Sequence, residues 1–102
     1  MEAIVDKGLL YDTYGALLTK KQREVYEDTV YHDLSLAEIA ENRGISRQGV
    51  SDLLKRTTKT LTEYERQLGL LKRFSRISAL CDEIDAASPD AARLTKKIRK
   101  EL

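Results

Sequence analysis

Arg47, Gln48 and Ser51 lie within one helical turn of each other, and their side chains suit contact with the edges of bases. A guanidinium pairs two-pronged with guanine and a carboxamide does the same with adenine. Arg47 and Gln48, at the start of one helix, and Ser51, one turn on, are therefore the expected base contacts. Ser46, Lys55, Arg56 and Lys59 on the same stretch are expected to hold phosphates, as are Lys20, Lys21 and Arg23 near the start of an earlier helix. Asp52 faces the same groove and would repel phosphate, which makes the surface mixed in charge. The plainer alternative is that these are exposed polar positions on an amphipathic helix.

Catalytic chemistry has little to build on. His32 is the sole histidine and Cys81 the sole cysteine, so neither a metal cluster of ordinary ligand count nor a Cys-His pair can be assembled. His32 beside Asp33 reads as a helix end or surface residue, and Cys81 on an apolar helical face reads as packing. Asp82, Glu83 and Asp85 read as a solvated helical face. The five glycines are dispersed, which leaves no phosphate-cradling loop. No enzyme, cofactor or metal is expected.

The elements that must position Arg47 and Gln48 can be read from Ser35 to Lys55. Ser35 and Glu38 have the spacing of a capping box. Leu36, Ile39 and Ala40 then share one helical face, and small Ala40 lets a second helix cross closely. Gly44 supplies a left-handed residue to end the helix, Ile45 plugs the angle, and Ser46 caps the next helix. Val50, Leu53 and Leu54 turn inward. Together these make a helix-turn-helix spanning 35–56, whose second helix presents its first residues to a nucleic-acid groove.

Upstream, a first helix is expected from about Ile4 to Leu18, with Leu10, Tyr14, Leu17 and Leu18 inward. A second, capped by Thr19 and Gln22, should run to about His32. Val25, Tyr26, Thr29 and Val30 pack in this reading, and Glu24, Glu27 and Asp28 stay in water. Downstream, Val50, Leu54, Thr57, Leu61, Tyr64, Leu68 and Leu71 repeat at spacings of four and three, a heptad-like seam that extends the second motif helix. Gly69 can bend or break it. An apolar face continues through Leu71, Phe74, Ile77, Cys81 and Ile84. Ser88-Pro89-Asp90 restarts a helix with serine as cap and proline first. This last helix should bury Leu94 and Ile98 and expose Arg93, Lys96, Lys97, Arg99 and Lys100.

These readings amount to an all-α fold: a helix-turn-helix unit of four helices over 1–68, then a C-terminal helical extension over 69–102, expected to pack on the first part as one domain. The chain of 102 residues is 41% hydrophobic with one proline, which suits an ordered helical protein. No apolar run approaches the roughly 20 residues of a membrane span, and no signal sequence is evident. With its lone cysteine the chain is expected in the cytoplasm. The net charge of +1 hides an asymmetry: five Lys/Arg against nine Asp/Glu through Ile45, and thirteen against eight from Ser46 onward. The second half therefore favours a polyanion or an acidic partner.

Leu18-Thr19-Lys20-Lys21-Gln22-Arg23, Ser35-Leu36-Ala37-Glu38-Ile39-Ala40, Ile45-Ser46-Arg47-Gln48-Gly49-Val50 and Tyr64-Glu65-Arg66-Gln67-Leu68 together resemble the YlxM-like family. These are small bacterial helix-turn-helix proteins similar to region 4 of sigma factors. The resemblance runs from Leu10 to about Leu71. It implies an accessory or regulatory role beside the signal recognition particle, whose GTPase gene such genes tend to neighbour, with the particle's RNA or that GTPase as partner. Gly49 stands where the family usually carries alanine, and glycine there costs about 0.5–1 kcal/mol.

Three functions stay open at this point. One is a nucleic-acid-binding accessory of that particle. The second is a DNA-binding regulator using the same Arg47 and Gln48 surface. The third is a protein adaptor without nucleic acid. The seam from Val50 to Leu71 is expected to fold back on the earlier helices, with a homodimer formed by whatever stays exposed. Arg66, Lys72, Arg73 and Arg76 would then make a basic outer surface.

Overall fold

A computed structural model describes residues 7–102. Among these, all regular structure is helical: α1 (Lys7–Tyr14), α2 (Lys20–Val30), α3 (Leu36–Arg43), α4 (Arg47–Leu68), α5 (Leu70–Ala87) and α6 (Ala92–Lys100). Short 3₁₀ turns at Gly15–Leu17 and Pro89–Ala91 join the first and last pairs. No helix among the described residues is long and apolar enough to cross a membrane. The chain divides into two compact units between Leu68 and Gly69.

In the first unit, α4 is the spine on which α1, α2 and α3 pack. Val25, Ile39, Ala40 and Val50 are sealed at the centre, with Leu34, Leu36, Ile45, Leu53 and Leu54 packed around them. Full burial of each larger aliphatic side chain is worth about 1.5–3 kcal/mol. Farther along α4, Thr57 and Leu61 are also buried. The Thr57 hydroxyl donates to the Leu53 carbonyl at 2.7 Å, so a polar residue sits on the seam with its donor used. The far end of α4 is gripped by α1: the Tyr14 hydroxyl donates to Glu65 Oε1 at 2.6 Å, and its ring lies 5.9 Å from that of Tyr64. The seam is thus used largely within the chain. It fades at Leu68, which is half exposed, and Gly69 ends α4 at a left-handed φ of 62°.

Several expectations need correction. The start of the first helix at Ile4 lies outside the described residues. Its end comes early, because the chain tightens into a 3₁₀ turn at Gly15 and leaves Leu17 58% exposed. Tyr11 takes the inward position instead; its ring stacks on Tyr26 and fills the space beside Gly15, where an added Cβ would stand 2.9 Å away. Burial, then the hydrogen bond to Glu27, pushes the Tyr11 hydroxyl pKa up to about 12. The Tyr26 hydroxyl is buried without a hydrogen bond of ordinary geometry, and its pKa is raised by that burial.

The second helix ends at Val30, and Asp28 is not in water. It is 5% exposed. Its two oxygens receive Arg43 Nε at 2.9 Å and Nη2 at 3.1 Å, a two-pronged pair between α2 and the last residue of α3. The His32 ring sits 3.5 Å from the same carboxylate. α2 closes with the Leu34 amide donating to the Asp28 carbonyl at 3.0 Å across Asp33, whose φ is 57°. The bond reaches one residue farther than the six-to-one closure of a standard helix end, and Asp33 takes the left-handed position usually given to glycine, which aspartate tolerates better than most side chains do.

In the second unit, Cys81 and Thr95 are buried. Leu94 and Ile98, expected inside, are 53% and 40% exposed. The rotation of α6 about its axis is set by a polar stripe instead. Thr95 donates to Asp85, and Arg99 reaches Asp85 at 3.0 Å and Asp82 at 2.6 Å. Asp82 and Asp85 are therefore ion-paired rather than simply solvated, and Arg99 is half-buried rather than free. Pro89 takes the first position of its turn, but the Ser88 side chain makes no capping hydrogen bond.

The Arg43 guanidinium holds the Asp28 carboxyl below the usual range. Its stabilisation is therefore complete above about pH 4 and disappears as pH falls through the lower folded value. Arg43 keeps 34% of its side chain in water, so Asp28→Asn should cost about 2–4 kcal/mol at neutral pH, somewhat less than for a fully buried pair. Urea unfolding followed by circular dichroism should show the parent–variant gap closing below about pH 4.

Candidate nucleic-acid interface

The motif is built as its spacing requires. The Glu38 amide donates to Ser35 Oγ at 3.1 Å and the Ser35 amide donates to Glu38 Oε1 at 2.9 Å. The same capping box lowers the Glu38 pKa, first through the Ser35 backbone bond. Gly44 stands at φ 68°, and the Ile45 amide donates to the Ala40 carbonyl at 3.1 Å. The half-buried Ile45 side chain packs on the central cluster. Gly49 N–H then donates to Ser46 Oγ at 2.9 Å, capping α4.

With Val50, Thr57 and Leu61 inward, α4 turns its opposite face to solvent. Arg47, Gln48, Asp52, Lys55, Arg56 and Lys59 are all exposed. Ser51 is half-buried at the edge of that face, in a shallow hollow shared with Leu36, Leu54 and Thr58. Ser46 already accepts the capping bond, which leaves only its hydroxyl proton for a phosphate. Lys20 and Lys21, at the start of α2, line a hollow with Glu24, Asn42, Arg43 and Ile45 beside the turn of the motif. Arg23 lines the neighbouring hollow with Asp12, Lys20, Glu24 and Glu27. Lys20 and Glu24 thus border both hollows, and of the three upstream cations Arg23 alone is absent from the one beside the motif.

Gln48 has a partner on its own helix. Its Nε2 donates to Asp52 Oδ1 at 2.9 Å, one turn on. Arg66, expected on a basic outer surface, is held two-pronged by Glu63, whose pKa falls to about 2 chiefly through that bond. Arg73 and Arg76 are exposed. Cys81 is sealed and His32 is largely in water.

A family model for helix-turn-helix proteins described as YlxM / p13 like, UPF0122, matches residues 1–101. The chain belongs to the YlxM / p13-like helix-turn-helix family. Individual members agree over most of their length. A UPF0122 protein of Thermoanaerobacter sp. (strain X514) is 43% identical over 92% of this chain and 88% of its own. One from Acetivibrio thermocellus is 36% identical over the whole chain and 95% of its own, and one from Listeria innocua is 40% identical over 88% and 76%.

Two residues beside the upstream cations were not expected from the sequence. Asn42 and Arg43 join Lys20 and Lys21 only because α2 and α3 are folded together, and no local pattern announces that. The bond between Gln48 and Asp52 was legible in principle, since glutamine and aspartate four apart on a helix meet.

Gly49 also has a local reason. A Cβ there would stand 3.1 Å from Ser46 Oγ, the atom that caps the helix. Gly49→Ala should therefore gain less than the full helix-propensity difference of about 1 kcal/mol, with a net change under about 0.5 kcal/mol because the cap is crowded. Gly44→Ala, in a left-handed position, should cost about 1–2 kcal/mol. Thermal unfolding of the two variants measures both.

Proposed function

We propose that this chain is a non-enzymatic nucleic-acid-binding protein that sets the first turns of α4 in a major groove. Arg47 and Gln48 read base edges, Ser51 stands at the edge of the contact, and Lys55, Arg56, Lys59, Lys20 and Lys21 hold phosphates. The observation that carries this reading is the exposed face from Arg47 to Lys59, mounted on a sealed core of α2, α3 and α4. A helix fits the roughly 12 Å major groove of B-form DNA, whereas the deep, narrow major groove of A-form RNA admits none. Duplex DNA is therefore the favoured target of this face.

A second reading concerns the signal recognition particle. The family resemblance supports it, and so does a basic row on α6: Arg93, Lys96, Lys97 and Lys100 are exposed with no ion pair among the described residues. On this reading that row meets the particle's RNA or an acidic face of its GTPase.

Salt titration separates the two. Binding to duplex DNA should weaken with salt at nearly one log-log unit per phosphate contact. Lys55→Ala should reduce that slope by about one, and Arg47→Ala should lower affinity for a selected sequence by about 1–3 kcal/mol. Unchanged binding in both variants would rule out the groove-reading role. Co-purification of the GTPase after nuclease treatment, lost when the α6 cations are neutralised, would favour the particle.

A further inference from the structure

From the contact between Gln48 and Asp52 we infer that Asp52 is the positioning residue that gives this interface its selectivity. The inference rests on the groove-reading role above. An aspartate on a phosphate-seeking face is costly: it is exposed among Gln48, Lys55, Arg56 and Lys59 and lowers attraction to any polyanion. The geometry shows what it does in return. Asp52 Oδ1 accepts one Nε2 proton of Gln48 at 2.9 Å. An amide nitrogen has two protons and the amide oxygen two lone pairs. With one proton committed to Asp52, Gln48 still has one N–H and its oxygen, the donor–acceptor pair that adenine's N7 and N6 amino group require.

Asp52 also fixes which end of the amide is the donor. Without a partner, an exposed glutamine rotates about its last torsion and offers either edge. With the carboxylate one turn along, nitrogen lies toward Asp52 and the oxygen is aimed away. The residue thus acts twice. It orders the reading side chain before the target arrives, and it penalises complexes held by phosphate contacts alone. Both effects widen the gap between specific and non-specific binding, the first by strengthening the right contact and the second by weakening the wrong ones.

Two substitutions separate these effects. Asp52→Asn removes the charge but keeps an oxygen that accepts from Gln48. Asp52→Ala removes both. The probes are a duplex recovered by selection from a randomised pool, the same duplex with its adenine contacts changed, and the unselected pool. Affinity for the unselected pool should rise about three- to ten-fold in both variants at low salt, as expected for deleting one repelling charge. The ratio between selected and altered duplex should hold in Asp52→Asn and fall at least about five-fold in Asp52→Ala. In the free protein, the Gln48 side-chain amide resonance should stay near its parent position in Asp52→Asn and move in Asp52→Ala.

An unchanged ratio in Asp52→Ala would overturn the inference while leaving the groove-reading role intact. Equal loss in both variants would also overturn it, because the carboxylate would then be reading a base itself. A parent chain that binds none of the duplexes would remove the groove-reading role, and this inference with it.

Discussion

The arrangement of the motif depends on one ion pair. Asp28 on α2 and Arg43 at the end of α3 meet two-pronged, with the carboxylate nearly sealed from water. Arg43 is the residue before Gly44, so the pair clamps the chain where it is about to turn. Apolar packing of Val25, Ile39 and Val50 supplies the driving force but is not directional. The planar fork of the guanidinium is directional. It ties the angle between α2 and α3 to a particular value, and through Ile45 it ties the start of α4 to the same frame.

That coupling explains why cations distant in sequence share a surface. Lys20 and Lys21 lie beside Asn42 and Arg43 because the pair holds the end of α3 against α2. The guanidinium that completes the clamp also lines this hollow, partly neutralised by Asp28 and by Glu24 3.4 Å away. The local field is therefore weaker than a count of cations suggests, as suits a chain whose total charge is +1.

The second unit uses the same device with a different outcome. Thr95, Asp85, Arg99 and Asp82 form a polar stripe between α5 and α6, which leaves Leu94 and Ile98 partly in water. In both units a carboxylate that looks solvated by its sequence neighbourhood is bound by an arginine at least fourteen residues away.

What was legible in the sequence follows from this. Both capping boxes, the left-handed Gly44, the Ser46 cap and the break at Gly69 are local, and each was readable from residue type and spacing. The outward face of α4 follows from the helical period once Val50 and Leu54 are placed inside. Asp28 and Leu94 were misread because periodicity sorts residues by polarity, whereas distant partners decide which polar groups can be buried. Leu17 was misread because the helix tightened at Gly15, where the Tyr11 ring occupies the inward space.

α2 and α3 are each followed by an amide that reaches back across one left-handed residue, from Leu34 to Asp28 in the first case and from Ile45 to Ala40 in the second. Within α3, from Leu36 to Arg43, angular position advances in whole-residue steps. One extra residue there would turn the rest of the helix by about 100°. Such an insertion would carry Arg43 away from Asp28 and Ile45 off the central cluster. The length of α3 is therefore as strict a requirement as the identity of any side chain on it.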